Sequence, residues 1–145
     1  MGMILTNKAD RYRKIVREQS LLRETFPFLN PRISGLSLAC RGRIQPTEHC
    51  QTYRIEISYA PWGSPAVRVI DPKIKFIKGA HMYKDDTLCL YDWRDQPWQQ
   101  HWHLHETVVP WTAEWLIFYE LFLLTGKWLG PEAVHGGEAE RLLPN

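Results

Sequence analysis

The residues best suited to chemistry lie between Gly79 and Asp92, in the run GAHMYKDDTLCLYD. Cys89 sits there between Leu88 and Leu90, with His81 upstream. A cysteine attacks as its thiolate, so a nucleophilic Cys89 needs surroundings that favour the thiolate or a base that takes its proton. A histidine across a turn can take that proton, or it can hydrogen-bond an oxyanion formed on a substrate. The intervening Tyr83-Lys84-Asp85-Asp86-Thr87 is polar and contains two acids, as a turn would. Asp85, Asp86 and Asp92 could orient a histidine or an incoming amine, but a solvated turn is the better reading of each. On these residues alone Cys89 also fits an inert core position, because free cysteine packs as a small hydrophobe.

Two other constellations compete. His101, His103 and His105 alternate within HWHLH. On a strand they would share a face and could bind zinc with help from His49 and Cys50. On a loop or at a helix start they would diverge. A papain-like arrangement would use Cys89 with a downstream histidine, but such enzymes place the cysteine at the start of a long helix. The stretch Asp92 to Gln100, with Pro97 inside it, does not read as one.

The Cys89 segment resembles the active-site stretch of ubiquitin-conjugating enzymes. There a His-Pro-Asn triplet precedes a tyrosine or similar residue, an Asp-Gly turn and then Ile/Leu-Cys-Leu. With the cysteines matched, Cys89 falls on the thioester cysteine, Leu88 and Leu90 on its apolar neighbours, and Asp85-Asp86 on the turn. Gly79-Ala80-His81 falls on the triplet, so His81 stands where the family has its oxyanion-supporting asparagine. Trp98 is the best match to the tryptophan that follows the cysteine in the family. The chain is most similar to the stand-alone E2-like proteins of cyclic-oligonucleotide anti-phage (CBASS) operons.

The resemblance implies an α+β fold: an N-terminal helix, an antiparallel sheet of about four strands, an irregular active-site flap and a long apolar C-terminal helix. It implies thioester transfer, in which Cys89 accepts a protein C-terminus and passes it to an amine, with His81 as oxyanion donor or local acid/base. The client it implies is the operon's cyclic-oligonucleotide synthase. The alternative is a conjugating-enzyme fold that has lost catalysis and acts as a binding module. No glycine-rich phosphate loop or other ATP signature is visible, so activation would come from a separate protein or the client would react directly. No cofactor or metal is expected.

The composition agrees with such a protein. A chain of 145 residues predicts one domain over 1–145, with 136–145 a loose tail. The formal charge of +2 does not ask for a nucleic-acid partner. Three cysteines without a CxxC pair argue against a disulfide framework and for a reducing compartment. The N-terminal segment lacks the pattern of a signal peptide, and the apolar runs fall short of the ~20 residues of a membrane span. A cytoplasmic protein is expected.

The elements that must hold the site are legible from periodicity. Thr6 or Asn7 can cap a first helix whose face carries Tyr12, Ile15, Val16, Gln19 and Leu22, with Arg11, Arg13, Lys14, Arg17 and Glu18 mostly on the other side. Phe26-Pro27 stops it. Ser34 to Ile44 reads as a first strand, Tyr53 to Tyr59 as a second with strict alternation, Ala66 to Ile70 as a third and Lys73 to Lys78 as a short fourth. Pro110 fits the first turn of a second helix carrying Trp111, Trp115, Phe118, Tyr119 and Phe122, and Thr125-Gly126-Lys127 closes it. Glu114 and Glu120 interrupt its apolar surface and argue for a core helix rather than a membrane segment.

Overall fold

The computed structural model describes residues 7–91 and 97–130. The tail expected at 136–145 lies outside them, as do Thr6, Asp92, Trp93 and His135. Helix α1 runs over Lys8–Thr25 and a 3-10 turn over Pro27–Leu29. Strands β1 (Arg32–Ser34), β2 (Ser37–Ile44), β3 (Tyr53–Tyr59) and β4 (Ala66–Asp71) follow, and helix α2 spans Val108–Thr125. The strands form one antiparallel meander in sequence order.

The helix limits have local causes. The Asn7 side chain accepts the Asp10 N–H at 2.8 Å, and Asp10 sits in the first turn, where the helix dipole favours a carboxylate. Phe26 ends α1 one residue before Pro27. Pro110 lies in the first turn of α2, and Gly126, at φ 76°, closes its end.

The sheet differs from the sequence expectation in membership, not in strand number. The stretch Ser34 to Ile44 is a hairpin rather than one strand: Ser34 pairs with Ser37 around the turn Gly35–Leu36. Gly35 has φ 59°, the positive value that a tight hairpin turn needs at its first position and that glycine supplies without strain. Lys73 to Lys78 is not a strand. Only Lys73 bridges back to Ile70, and the Ile74 N–H turns onto the Val69 carbonyl at 3.2 Å. The outer edge of β4 is used instead by Leu88, whose N–H reaches the Val67 carbonyl at 2.9 Å.

One face of the sheet is covered. Tyr53, Ile55, Ile57 and Tyr59 of β3 point inward with Leu38, Cys40, Val67 and Val69, and they pack with Val108, Trp115 and Leu116 of α2. Glu120 is part of that packing: its carboxylate accepts the Tyr53 hydroxyl at 2.7 Å and the Gln51 N–H at 3.0 Å. By length and composition α2 could cross a membrane, yet here it lies over the sheet with Thr112, Trp115, Leu116 and Phe118 buried.

Helix α1 presents a face rotated from the expected one. Tyr12 and Val16 are 50% and 39% exposed, whereas Ile15, Glu18 and Leu22 are buried. Glu18 tolerates full burial because its carboxylate is satisfied. It accepts the Leu104 N–H at 2.7 Å, meets His103 Nδ1 at 2.7 Å and pairs with Lys14 Nζ at 3.3 Å. Lys14 also donates to the Trp102 carbonyl at 3.0 Å. This cluster fixes α1 to the segment that leads into α2.

Candidate active site

Residues 79–91 form an irregular flap, as the resemblance implies for the active-site segment. Its centre is a short hairpin. Met82 bridges Leu88, the Tyr83 N–H donates to the Thr87 carbonyl at 2.9 Å, and the Cys89 N–H donates to the His81 carbonyl at 3.1 Å. His81 and Cys89 therefore face each other across the hairpin, as directly opposed residues of an antiparallel pair do.

The hairpin's tip is built by the two aspartates. Asp85 Oδ1 accepts the Thr87 N–H at 3.1 Å and the Thr87 hydroxyl at 2.5 Å, and these bonds hold the Asp85 carboxyl below its ordinary range. Asp86 has φ 72°, in the left-handed region, at the position of glycine in the family's Asp-Gly turn. Its carboxylate accepts the Phe76 N–H at 2.7 Å and so ties the tip to the 73–78 segment. Both acids are thus engaged in building the turn.

Helix α2 fixes the other side. The Trp115 indole N–H donates to the His81 carbonyl at 2.7 Å, the same oxygen that accepts the Cys89 N–H. Trp115 stacks on Tyr119 with centroids 5.4 Å apart, and Trp128 lies 5.2 Å from both the Trp115 and the His81 rings. The His81 side chain is therefore packed against an aromatic wall, with its backbone pinned from two directions.

Cys89 is half-buried between two buried leucines, Leu88 and Leu90. Its thiol points at the Tyr91 carbonyl, with Sγ to O 3.7 Å. Only the protonated thiol makes that bond, so attack requires it to break. Tyr91 is buried, and burial raises its phenol above the usual range. A bond with the Ser64 side chain pulls the other way, and negative charge on Cys89 raises it further. Tyr91 in turn meets Trp98 and Trp111, each with centroids 6.2 Å away, and Trp98 continues to Tyr59 and Trp102. Trp98, matched to the family tryptophan, packs beside the site.

The sequence placed Cys89 and His81 together, and the structure sets them opposite one another. It does not assemble the rival constellations. Residues 101–107 form turns, with His103 committed to Glu18 and His105 beside Glu106 at 3.5 Å. Among the described residues, no group of three or more His, Cys, Asp or Glu side chains is placed to hold a metal. Cys89 lies on irregular backbone rather than at a helix start. Cys40 is a core residue whose thiol burial pushes up to about 12. Sequence reasoning missed Trp115, Trp128 and Tyr91 as site residues. For Tyr91 the signal was its adjacency to Leu90, but for the two tryptophans no local pattern pointed to the flap.

An N-terminal helix, a four-strand antiparallel meander, a cysteine-bearing flap off the last strand and a helix across the sheet define a ubiquitin-conjugating-like α+β fold. A family profile described as Type II CBASS E2 protein matches residues 18–136. The chain belongs to that family, and so to the E2-like proteins of CBASS anti-phage defence. No curated protein matches it.

Proposed function

We propose that the protein is a cysteine acyltransferase of conjugating type, with Cys89 as its acceptor. The observation that supports this most directly is the pairing of His81 with Cys89, half-exposed at the edge of the core, in a segment covered by the family match. The Cys89 thiolate attacks the carbonyl carbon of an activated protein C-terminus. The tetrahedral oxyanion collapses with loss of the activating group, leaving a thioester on Cys89. An amine then attacks that carbonyl, forms an amide and expels the Cys89 thiolate. His81 donates a hydrogen bond to the oxyanion or moves the proton. Leu88 and Leu90 hold the thiol at the edge of the core. The activating group comes from a separate protein of the operon, and the client is the C-terminus of the operon's cyclic-oligonucleotide synthase.

The test is non-reducing intact-mass analysis of the protein co-expressed with its operon neighbours, beside Cys89→Ala. The expected result is a protein-sized adduct that hydroxylamine removes and the Cys89→Ala control lacks. Its mass identifies the client. An adduct that survives hydroxylamine but not thiol is a disulfide. No adduct, together with a Cys89 that resists alkylation until the protein unfolds, refutes the enzymatic reading and leaves a binding module. His81→Asn and His81→Ala separate the roles of His81. Activity retained in the asparagine variant alone marks a hydrogen-bond donor, and a shifted pH profile marks proton transfer.

A further inference from the structure

Three surface depressions, none lined by residues of the flap, share lining residues. The first lies along the C-terminal half of α1 and takes in Gln19, Arg23, Asn30 and Arg32. The second, about 490 Å³, is bounded by Asn30, Arg32, Ala39, Arg41 and Arg54. The third, about 280 Å³, is bounded by Arg43, Thr52, Arg54, Asp71 and Pro72. Asn30 and Arg32 join the first to the second, and Arg54 joins the second to the third. The result is one trough from α1 across the face of the sheet that points away from the core, where exposed positions alternate with the buried ones along β2 and β3.

The trough is basic beyond any internal need. Arg41 is neutralised by Glu56 at 2.6 Å. Arg23, Arg32, Arg43 and Arg54 make no ion pair among the described residues. The strand register sets Arg43 directly opposite Arg54, and like charges so placed weaken a sheet. Asp71 faces Arg54 from β4, one acid against this row of guanidinium groups. Four of the six described arginines without an ion pair, Arg23, Arg32, Arg43 and Arg54, line this trough, and the other two, Arg11 and Arg17, lie on α1 outside it.

We propose that this trough binds an extended acidic segment of a partner polypeptide. Guanidinium forks match carboxylates with paired hydrogen bonds, and an extended chain can meet them in succession. Single-stranded nucleic acid fits less well. No aromatic side chain lines the trough to stack a base, and Asp71 interrupts a track of phosphates. The inference does not depend on thioester chemistry at Cys89.

The test is fluorescence anisotropy with a labelled oligoglutamate peptide and, separately, a labelled single-stranded oligonucleotide of equal charge. The proteins are wild type, Arg43→Glu/Arg54→Glu in the trough, and Arg13→Glu/Arg17→Glu on the exposed side of α1 as a control of equal net charge. The expected result is salt-sensitive peptide binding, weakened about tenfold or more by the trough variant and little by the control. Arg54→Gln alone keeps the test independent of folding. It removes the repulsion with Arg43 and the attraction to Asp71 together, so its melting temperature is expected to change little while peptide affinity falls. The proposal is overturned if wild type does not bind the peptide or if both double variants lose it equally. Tighter binding of the oligonucleotide through the same arginines would overturn it too.

Discussion

Replacing Trp115 by phenylalanine should loosen the flap more than it harms the core. The indole N–H donates to the His81 carbonyl at 2.7 Å, and the Cys89 N–H shares that oxygen at 3.1 Å. Phenylalanine deletes the first bond and leaves the second, so the carbonyl keeps a partner. The cost is then that of a net hydrogen bond, about 1 kcal/mol, rather than that of an orphaned group. Losing the five-membered ring removes roughly 40 Å² of buried apolar surface, worth about 1 kcal/mol more. A total near 2 kcal/mol corresponds to roughly 4–8 °C in melting temperature for a domain of this size. The decisive assay is native-state hydrogen exchange at the Cys89 and Tyr83 amides, which donate across the hairpin from one arm to the other. If Trp115 pins the flap, these amides should exchange about tenfold faster for each 1.4 kcal/mol of local stability lost, beyond any change in the β3 amides. A lowered melting temperature with hairpin amides protected as in wild type would show that Trp115 only fills the core, and the account of the site given above would fail.

Other perturbations read other parts of the structure. Glu18→Ala leaves the buried Leu104 N–H without its acceptor, Lys14 without its counter-charge and His103 Nδ1 without its partner, and should cost about 3–5 kcal/mol in urea denaturation. Glu18→Gln, which keeps an acceptor, should cost less. Gly42→Ala should destabilise by about 1–3 kcal/mol, because a Cβ there would fall 2.3 Å from the Phe28 carbonyl oxygen, while Gly63→Ala serves as a near-neutral comparison in the same melts. Stability should decline above pH 9: the folded state keeps the Cys40 proton up to about 12 whereas the unfolded chain releases it near 9, so folding binds protons across that window. Tyr59, pushed up to about 12 by burial and by the charge of Glu18, adds to the decline above pH 10. Cys40→Ala should flatten the urea-derived slope by up to about 1.4 kcal/mol per pH unit, and an unchanged slope would remove Cys40 from the account.

Where one interaction decides the structure locally, the sequence could be read directly. The alternation from Tyr53 to Tyr59 became β3, and Pro110 and Gly126 bracket α2 as proline and glycine should. The errors came where a tertiary contact overrode the local pattern. Leu36 lies in the turn itself yet falls in phase with Leu38 and Cys40, so the hairpin was hidden by a periodicity that its turn happens not to break. Glu18 looked like a surface residue because its three partners, Lys14, Leu104 and His103, include two that are distant in sequence. Lys73 to Lys78 has a strand's composition, but on the β4 edge beside it the Val67 carbonyl is taken by Leu88. The site divides in the same way. Cys89 and His81 are visible by residue type and resemblance, whereas what orients them, Trp115 and Trp128, comes from the far end of the chain.

That division explains how an irregular flap can hold a reactive pair in register. The hairpin between His81 and Cys89 has few backbone bonds of its own, too few for independent stability. Its geometry is imposed at three separate points: the Val67 carbonyl of β4 receives Leu88, Asp86 reaches Phe76, and the Trp115 indole reaches the His81 carbonyl. Each anchor belongs to a different part of the scaffold, so the flap can stay outside the sheet, with Cys89 half-exposed, and still be fixed. Histidine at the family's asparagine position fits this arrangement physically. Its ring packs on Trp128, which a smaller amide would contact less, while its backbone carbonyl supplies the shared acceptor whatever the side chain. The substitution thus changes the chemistry offered to Cys89 without disturbing the backbone bonds that bring the two residues face to face.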